Sequence, residues 1–192
     1  MILCQRSGLL QIFISYFNHD REFIWKPRDF TDVADMNIHI IDHWNTVVTP
    51  EDDVYVLGDI MLGDNEEGWD CISRLNGKIH LIHGNHDTDT RIELFRNMPD
   101  KIVEICDAKY LRINGYHFYL THYPCLTGNL HKESLKQMTL NLHGHTHNKD
   151  RFFYDLPFCY NVGVDAHDCY PISVDEIIED MKNKVMECKS FL

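Results

Sequence analysis

A chain of 192 residues can bury one core and has little room for a second, so residues 1–192 are expected to form a single domain. Hydrophobic residues at 44% and charged residues at 25% fit an ordinary globular protein, and no run approaches the ~18 apolar residues of a membrane span. The formal net charge of -12 argues against broad binding to a nucleic-acid backbone, but leaves phosphorylated small molecules open, because bound cations can reverse the field locally.

Seven cysteines, an odd number with no C-x-x-C spacing, predict reduced thiols in a cytoplasmic protein. The apolar stretch from Gly8 to Phe17 lacks a small-residue cleavage site after it, and Leu9 to Ser15 reads as a buried strand. Thr31 or Asp32 can cap a helix whose apolar positions Val33, Met36, Ile40, Ile41 and Trp44 share one face. A short buried strand at Val54 to Leu57 runs into Gly58-Asp59. A helix is predicted from Trp69 to Leu75, a turn at Asn76-Gly77, and a strand from Ile79 to Ile82 that runs into Gly84-Asn85-His86-Asp87. Asn114-Gly115 between Tyr110–Ile113 and Tyr116–Thr121 is a strong hairpin signal. Leu140 to Leu142 leads into His143-Gly144-His145-Thr146-His147, and Phe158 to Val164 reads as a further strand. Ser173 and Glu176 form a capping box for a last helix through about Lys184. Strand–helix alternation followed by hairpins predicts a mixed sheet or two packed sheets with helices outside.

Three of these strands end in Gly beside Asp, Asn or His, and loops at strand carboxyl ends are where open α/β folds place their sites. Asp59, the run from Asn85 to Asp87, His122 in T-H-Y-P, and His145 with His147 in G-H-T-H stand out as one set. Imidazole, carboxylate and amide oxygen together suit Zn, Mn, Fe or Ni better than Ca. Most other histidines need no such role. His39 and His43 are four apart on a helix but lack the H-E-x-x-H form, and His80 and His117 lie in strands. His83, His131, His143 and His167 could be supporting or surface residues.

The order G-D, G-N-H-D, strand-end His, G-H-T-H resembles the calcineurin-like metallophosphoesterases, particularly their small bacterial and phage-type members, over about Ile12 to Val174. K-P-R-D-F at Lys26 to Phe30 and N-V-G-V-D at Asn161 to Asp165 also resemble that subgroup. The resemblance implies a four-layer α/β/β/α sandwich of two mixed β-sheets flanked by helices. It implies that Asp59 bridges two metal ions, that Asn85, His122 and His145 complete one position, and that His147 belongs to the other. His86 would sit beside the phosphate, oriented through a hydrogen bond to Asp87. The implied chemistry is metal-assisted hydrolysis of phosphomonoesters or phosphodiesters, with small phosphate esters as substrates and no covalent enzyme intermediate.

One motif is missing. The family's first strand ends in D-x-H, whose side chains hold the first ion. Here the run is Ile14-Ser15-Tyr16-Phe17-Asn18-His19-Asp20, in which Tyr16 replaces the histidine and the aspartate has no counterpart. One well-held ion and one weak or absent ion are therefore expected, with impaired turnover, unless His19, Asp20 or Tyr16 rebuilds the site. A catalytically weak metal- or phosphate-binding protein is the alternative. Other metallohydrolases fit less well. The run His143 to Asn148 lacks the Asp of the metallo-β-lactamase H-x-H-x-D-H motif, and amidohydrolases carry H-x-H on their first strand. Neither the substrate nor the oligomeric state is legible in the sequence.

Overall fold

The computed structural model describes residues 11–13 and 17–190. Its strands are β1 (Gln11–Phe13), β2 (Asp53–Val56), β3 (Lys78–Ile82), β4 (Ile102–Cys106), β5 (Lys109–Ile113), β6 (Tyr116–Leu120), β7 (Thr139–His143), β8 (Cys159–Asn161) and β9 (Ile172–Ser173). They form two sheets, ordered β4-β3-β2-β1-β9 and β5-β6-β7-β8. Both are mixed. In the first, β1 to β4 run parallel and β9 is antiparallel to β1; in the second, only the β5–β6 pair is antiparallel. Five α-helices flank them: α1 (Glu22–Trp25), α2 (Val33–Val47), α3 (Asn65–Ser73), α4 (Asp89–Arg96) and α5 (Val174–Ser190). This is the expected α/β sandwich. Val56 and Leu81 of one sheet and Phe118 and Leu140 of the other belong to one continuous apolar core.

Local chemistry accounts for the elements. Asp32 caps α2 by accepting the Asp35 N–H at 2.8 Å, and Met36, Ile40, Ile41 and Trp44 are buried along one stripe. The β5–β6 hairpin turns through Asn114 at φ 52° and Gly115 at φ 82°, the backbone a two-residue turn demands. Tyr116, Phe118 and Leu120 of β6 are buried while His117 and Tyr119 between them are half-buried. The Ser173 N–H reaches Glu176 at 3.0 Å and the Glu176 N–H reaches Ser173 Oγ at 3.2 Å, closing the capping box of α5.

Register positions the site. Val56 pairs with Leu81, so β2 and β3 end side by side and release the Asp59 and Asn85 loops together. Leu120 pairs with Leu142, which does the same for the His122 and His145 loops of the second sheet.

Some expectations need correction. Phe158 to Val164 is not one strand: β8 stops at Asn161, and Val164–Ala166 forms a 3-10 turn. The Asn161 side-chain oxygen accepts the Gly163 N–H at 2.9 Å, which folds the backbone out of the ladder. Helix α3 begins earlier than Trp69, because Asp64 accepts the N–H groups of Glu66 and Glu67 and starts it at Asn65. Of the strand expected at Leu9 to Ser15, only the β1 residues lie within the described ranges. No helix among the described residues is long and apolar enough to cross a membrane.

Candidate metal centre

Four loops from the two sheets converge. Asp59 follows β2, Asn85 and His86 follow β3, His122 follows β6, and His145 and His147 follow β7. Asp59, His122 and His145 form a group whose ligand atoms all lie within 4.8 Å of one another. At its centre is the His122 ring. Its Nδ1 is 2.8 Å from the carbonyl oxygen of Leu57, so Nδ1 carries the proton and donates. Its Nε2 then faces Asn85 Oδ1 at 2.8 Å, His145 Nδ1 at 3.1 Å and Asp59 Oδ2 at 3.3 Å. Four atoms that each bear a lone pair meet with at most one proton to share. That donor set, two imidazoles, a carboxylate and an amide oxygen, fits a divalent transition-metal ion.

Charge and burial agree with this. Asp59 and His122 are almost fully buried. Burial alone would raise the Asp59 carboxyl, but the His122 ring and the His86 N–H outweigh it and hold it low. Burial likewise pulls His122 down, and the Asp59 carboxylate overrides that and raises it. His145 is lowered, by burial and then by His122.

The loops are held in unusual backbone conformations. Asp59 (φ 52°), His145 (φ 64°) and His147 (φ 45°) are all left-handed, a state that costs a non-glycine residue on the order of 1–3 kcal/mol and persists only where the surroundings enforce it. Part of the enforcement is close approach. A Cβ on Gly84 would lie 2.3 Å from Asp59 Oδ1 and 2.6 Å from Asp59 N, so only glycine lets the β3 loop reach the Asp59 turn.

Asp87 makes two bonds that the sequence did not announce. Its Oδ2 accepts the N–H groups of Asp59 at 2.9 Å and Gly84 at 2.8 Å, and no bond to the His86 ring is present. Through Oδ2 it ties the two loops together. The His86 backbone is pinned, its N–H on Asp59 Oδ1 at 2.7 Å and its carbonyl receiving Arg91 Nη1 at 2.8 Å. The residue itself is exposed.

His147 sits beside this group. Its ring lies 5.7 Å from that of His19, edge to face, and its Nδ1 is 3.6 Å from Asp165 Oδ2. His19 is pushed down to about 4, by burial first and then by His147, Arg28 and His86 around it. Asp20 is exposed, its N–H turned back onto the Asn18 carbonyl at 2.9 Å. Tyr16 lies outside the described residues. The histidines set aside in the sequence have other occupations. His80 bridges Glu104 and Asp53 at 2.9 Å each, and His43 stacks on Tyr170 at 3.9 Å.

Two residues of the neighbourhood lie in the runs K-P-R-D-F and N-V-G-V-D, to which the sequence assigned no role. Arg28 grips Asp165 through two parallel bonds, Nε to Oδ1 at 2.7 Å and Nη2 to Oδ2 at 2.9 Å. Burial would raise the Asp165 carboxyl, but the His147 ring and the Arg28 guanidinium hold it at about 2. Folding therefore favours the ionised form. The metal-free protein should keep this contribution, about 2–3 kcal/mol, above about pH 4 and lose it as the pH falls towards 2. Unfolding free energies measured across that window should fall less steeply in Asp165→Asn. An unchanged slope would refute the assignment.

Residues 31–164 match the calcineurin-like phosphoesterase superfamily domain. The chain belongs to that superfamily. The match begins past the site of the missing D-x-H motif. An uncharacterised protein of Methanocaldococcus jannaschii is 31% identical over 176 residues, covering 86% of this superfamily member and 86% of its own length. The gene 66 protein of Mycobacterium phage D29 is 30% identical over 172 residues, 77% of this chain and 85% of the phage protein. Among solved structures, the protein of unknown function AQ665 from Aquifex aeolicus matches with a TM-score of 0.66 at 26% identity, over 90% of this phosphoesterase-family chain and 98% of the other.

Proposed function

We propose that the chain is a metal-dependent phosphoesterase that hydrolyses small phosphomonoesters or phosphodiesters. The observation that carries this reading is the convergence of Asp59, Asn85 and His145 on His122 Nε2. Asp59, Asn85, His122 and His145 would hold a divalent ion, Mn, Fe, Zn or Ni, with His147 alongside. An ion there would polarise a phosphoryl oxygen and lower the pKa of a bound water. Leu57 fixes the His122 ring so that its Nε2 lone pair faces inward. Asp87 keeps Asp59 and the β3 loop in register through two N–H bonds. His86, exposed on a pinned backbone, would hydrogen-bond the phosphate and protonate the leaving oxygen.

The test is hydrolysis of bis(p-nitrophenyl) phosphate with added Mn. A rate above buffer is expected, abolished by a chelator. His86→Asn should lower kcat by about 100-fold or more while Mn binding persists. A second reading, a metal- or phosphate-binding protein without turnover, is favoured by the absent D-x-H motif. It would be the outcome if no rate above buffer is found with Mn, Fe, Zn or Ni.

A further inference from the structure

The loop that delivers His122 is held by a polar side chain in the core. Asn141 of β7 is fully buried. Its Nδ2 donates to the Tyr119 carbonyl at 3.0 Å and to Thr121 Oγ1 at 2.8 Å, and its Oδ1 accepts the Cys125 N–H at 2.9 Å. With a lone pair engaged by Asn141, the Thr121 hydroxyl donates its own hydrogen to the Tyr123 carbonyl at 2.8 Å. Pro124 follows and biases Tyr123 towards an extended backbone. Tyr123, which no step proposed above uses, therefore stands on a locked loop.

Its ring lies 4.6 Å from that of His145 at 65° and 4.9 Å from that of His122 at 75°. It thus packs on both imidazoles of the gathered Asp59, His122 and His145 group. Yet 51% of the residue stays open to solvent, so that packing leaves about half of an aromatic side chain unused beside the centre. A flat aromatic group laid against it would stack and would take apolar area out of water, whereas a small aliphatic group would cover little of it. Because the backbone is already held, little ordering would be needed on binding.

We propose that Tyr123 is a specificity-determining residue, and that it selects aryl phosphate esters by stacking on the aromatic group carried by the ester oxygen. This inference rests on the metal-dependent reading above and fails separately from it. The test is calorimetric titration of the Mn-loaded protein with benzylphosphonate and ethylphosphonate. In both, a CH2 group stands in for the ester oxygen and resists hydrolysis, and the two differ in the ring. Wild type should bind benzylphosphonate about tenfold more tightly. Tyr123→Ser should weaken benzylphosphonate alone and bring the two affinities together, with Mn content unchanged, while Tyr123→Phe keeps the preference. Tyr110→Ser, which removes a tyrosine of similar exposure (54%) from β5, should keep it too. Equal affinities in wild type would overturn the proposal, as would an undiminished preference in Tyr123→Ser or an equal loss in Tyr110→Ser. If bis(p-nitrophenyl) phosphate is nonetheless hydrolysed with Mn, the metal-dependent reading stands and this inference alone falls. A protein that binds neither phosphonate and hydrolyses no ester would overturn both.

Discussion

Asp59→Asn should reduce phosphodiester hydrolysis by about 1,000-fold or more and strip the protein of tightly bound Mn. Asp59 is 1% exposed and supplies the one carboxylate of the group it forms with His122 and His145. Asparagine keeps the volume and one oxygen, so the His86 N–H retains a partner and the fold should survive. What changes is the charge, and with it a donor N–H now points into a set of lone pairs. Circular dichroism should be unchanged while metal content and rate collapse together. A variant with normal rate would remove Asp59 from the centre and sink the proposed chemistry.

Arg28→Met should cost about 3–5 kcal/mol of stability, a second large effect with a different origin. The Arg28 side chain is 5% exposed and that of Asp165 15%. Removing the guanidinium leaves an ionised carboxylate buried without its bidentate partner. The double variant Arg28→Met/Asp165→Leu should recover most of the loss, because the penalty comes from the stranded charge rather than from the missing pair. Urea unfolding of the two variants decides the matter. Equal midpoints for wild type and Arg28→Met would refute it.

The site was more legible in the sequence than the frame around it. Asp59, Asn85, His122 and His145 could be read because each follows a short apolar strand, and Gly58, Gly84 and Gly144 announce tight turns there. The hairpin at Asn114-Gly115 and the caps at Asp32 and Ser173 were legible for a similar reason: the signal is local. Helix α4, with eight residues, and strand β4, with a mostly half-buried pattern, were not read, since neither shows a full amphipathic period. The Arg28–Asp165 pair spans 137 residues, and no local pattern links its partners. The bonds of Asp87 to Gly84 and Asp59 were not legible, because they depend on β2 and β3 ending together, which only the sheet register reveals.

The bond from His122 Nδ1 to the Leu57 carbonyl joins a loop of one sheet to the strand end of the other. It spans the seam of the sandwich through protein atoms. One bond within the chain thus ties the two sheets together at the mouth. An arriving ion would not have to draw the layers together, so its affinity would reflect dehydration and ligand strength rather than docking. Weakening that seam, through a distant core change that slides one layer by a fraction of an ångström, would loosen the grip on metal while leaving every ligand in the chain.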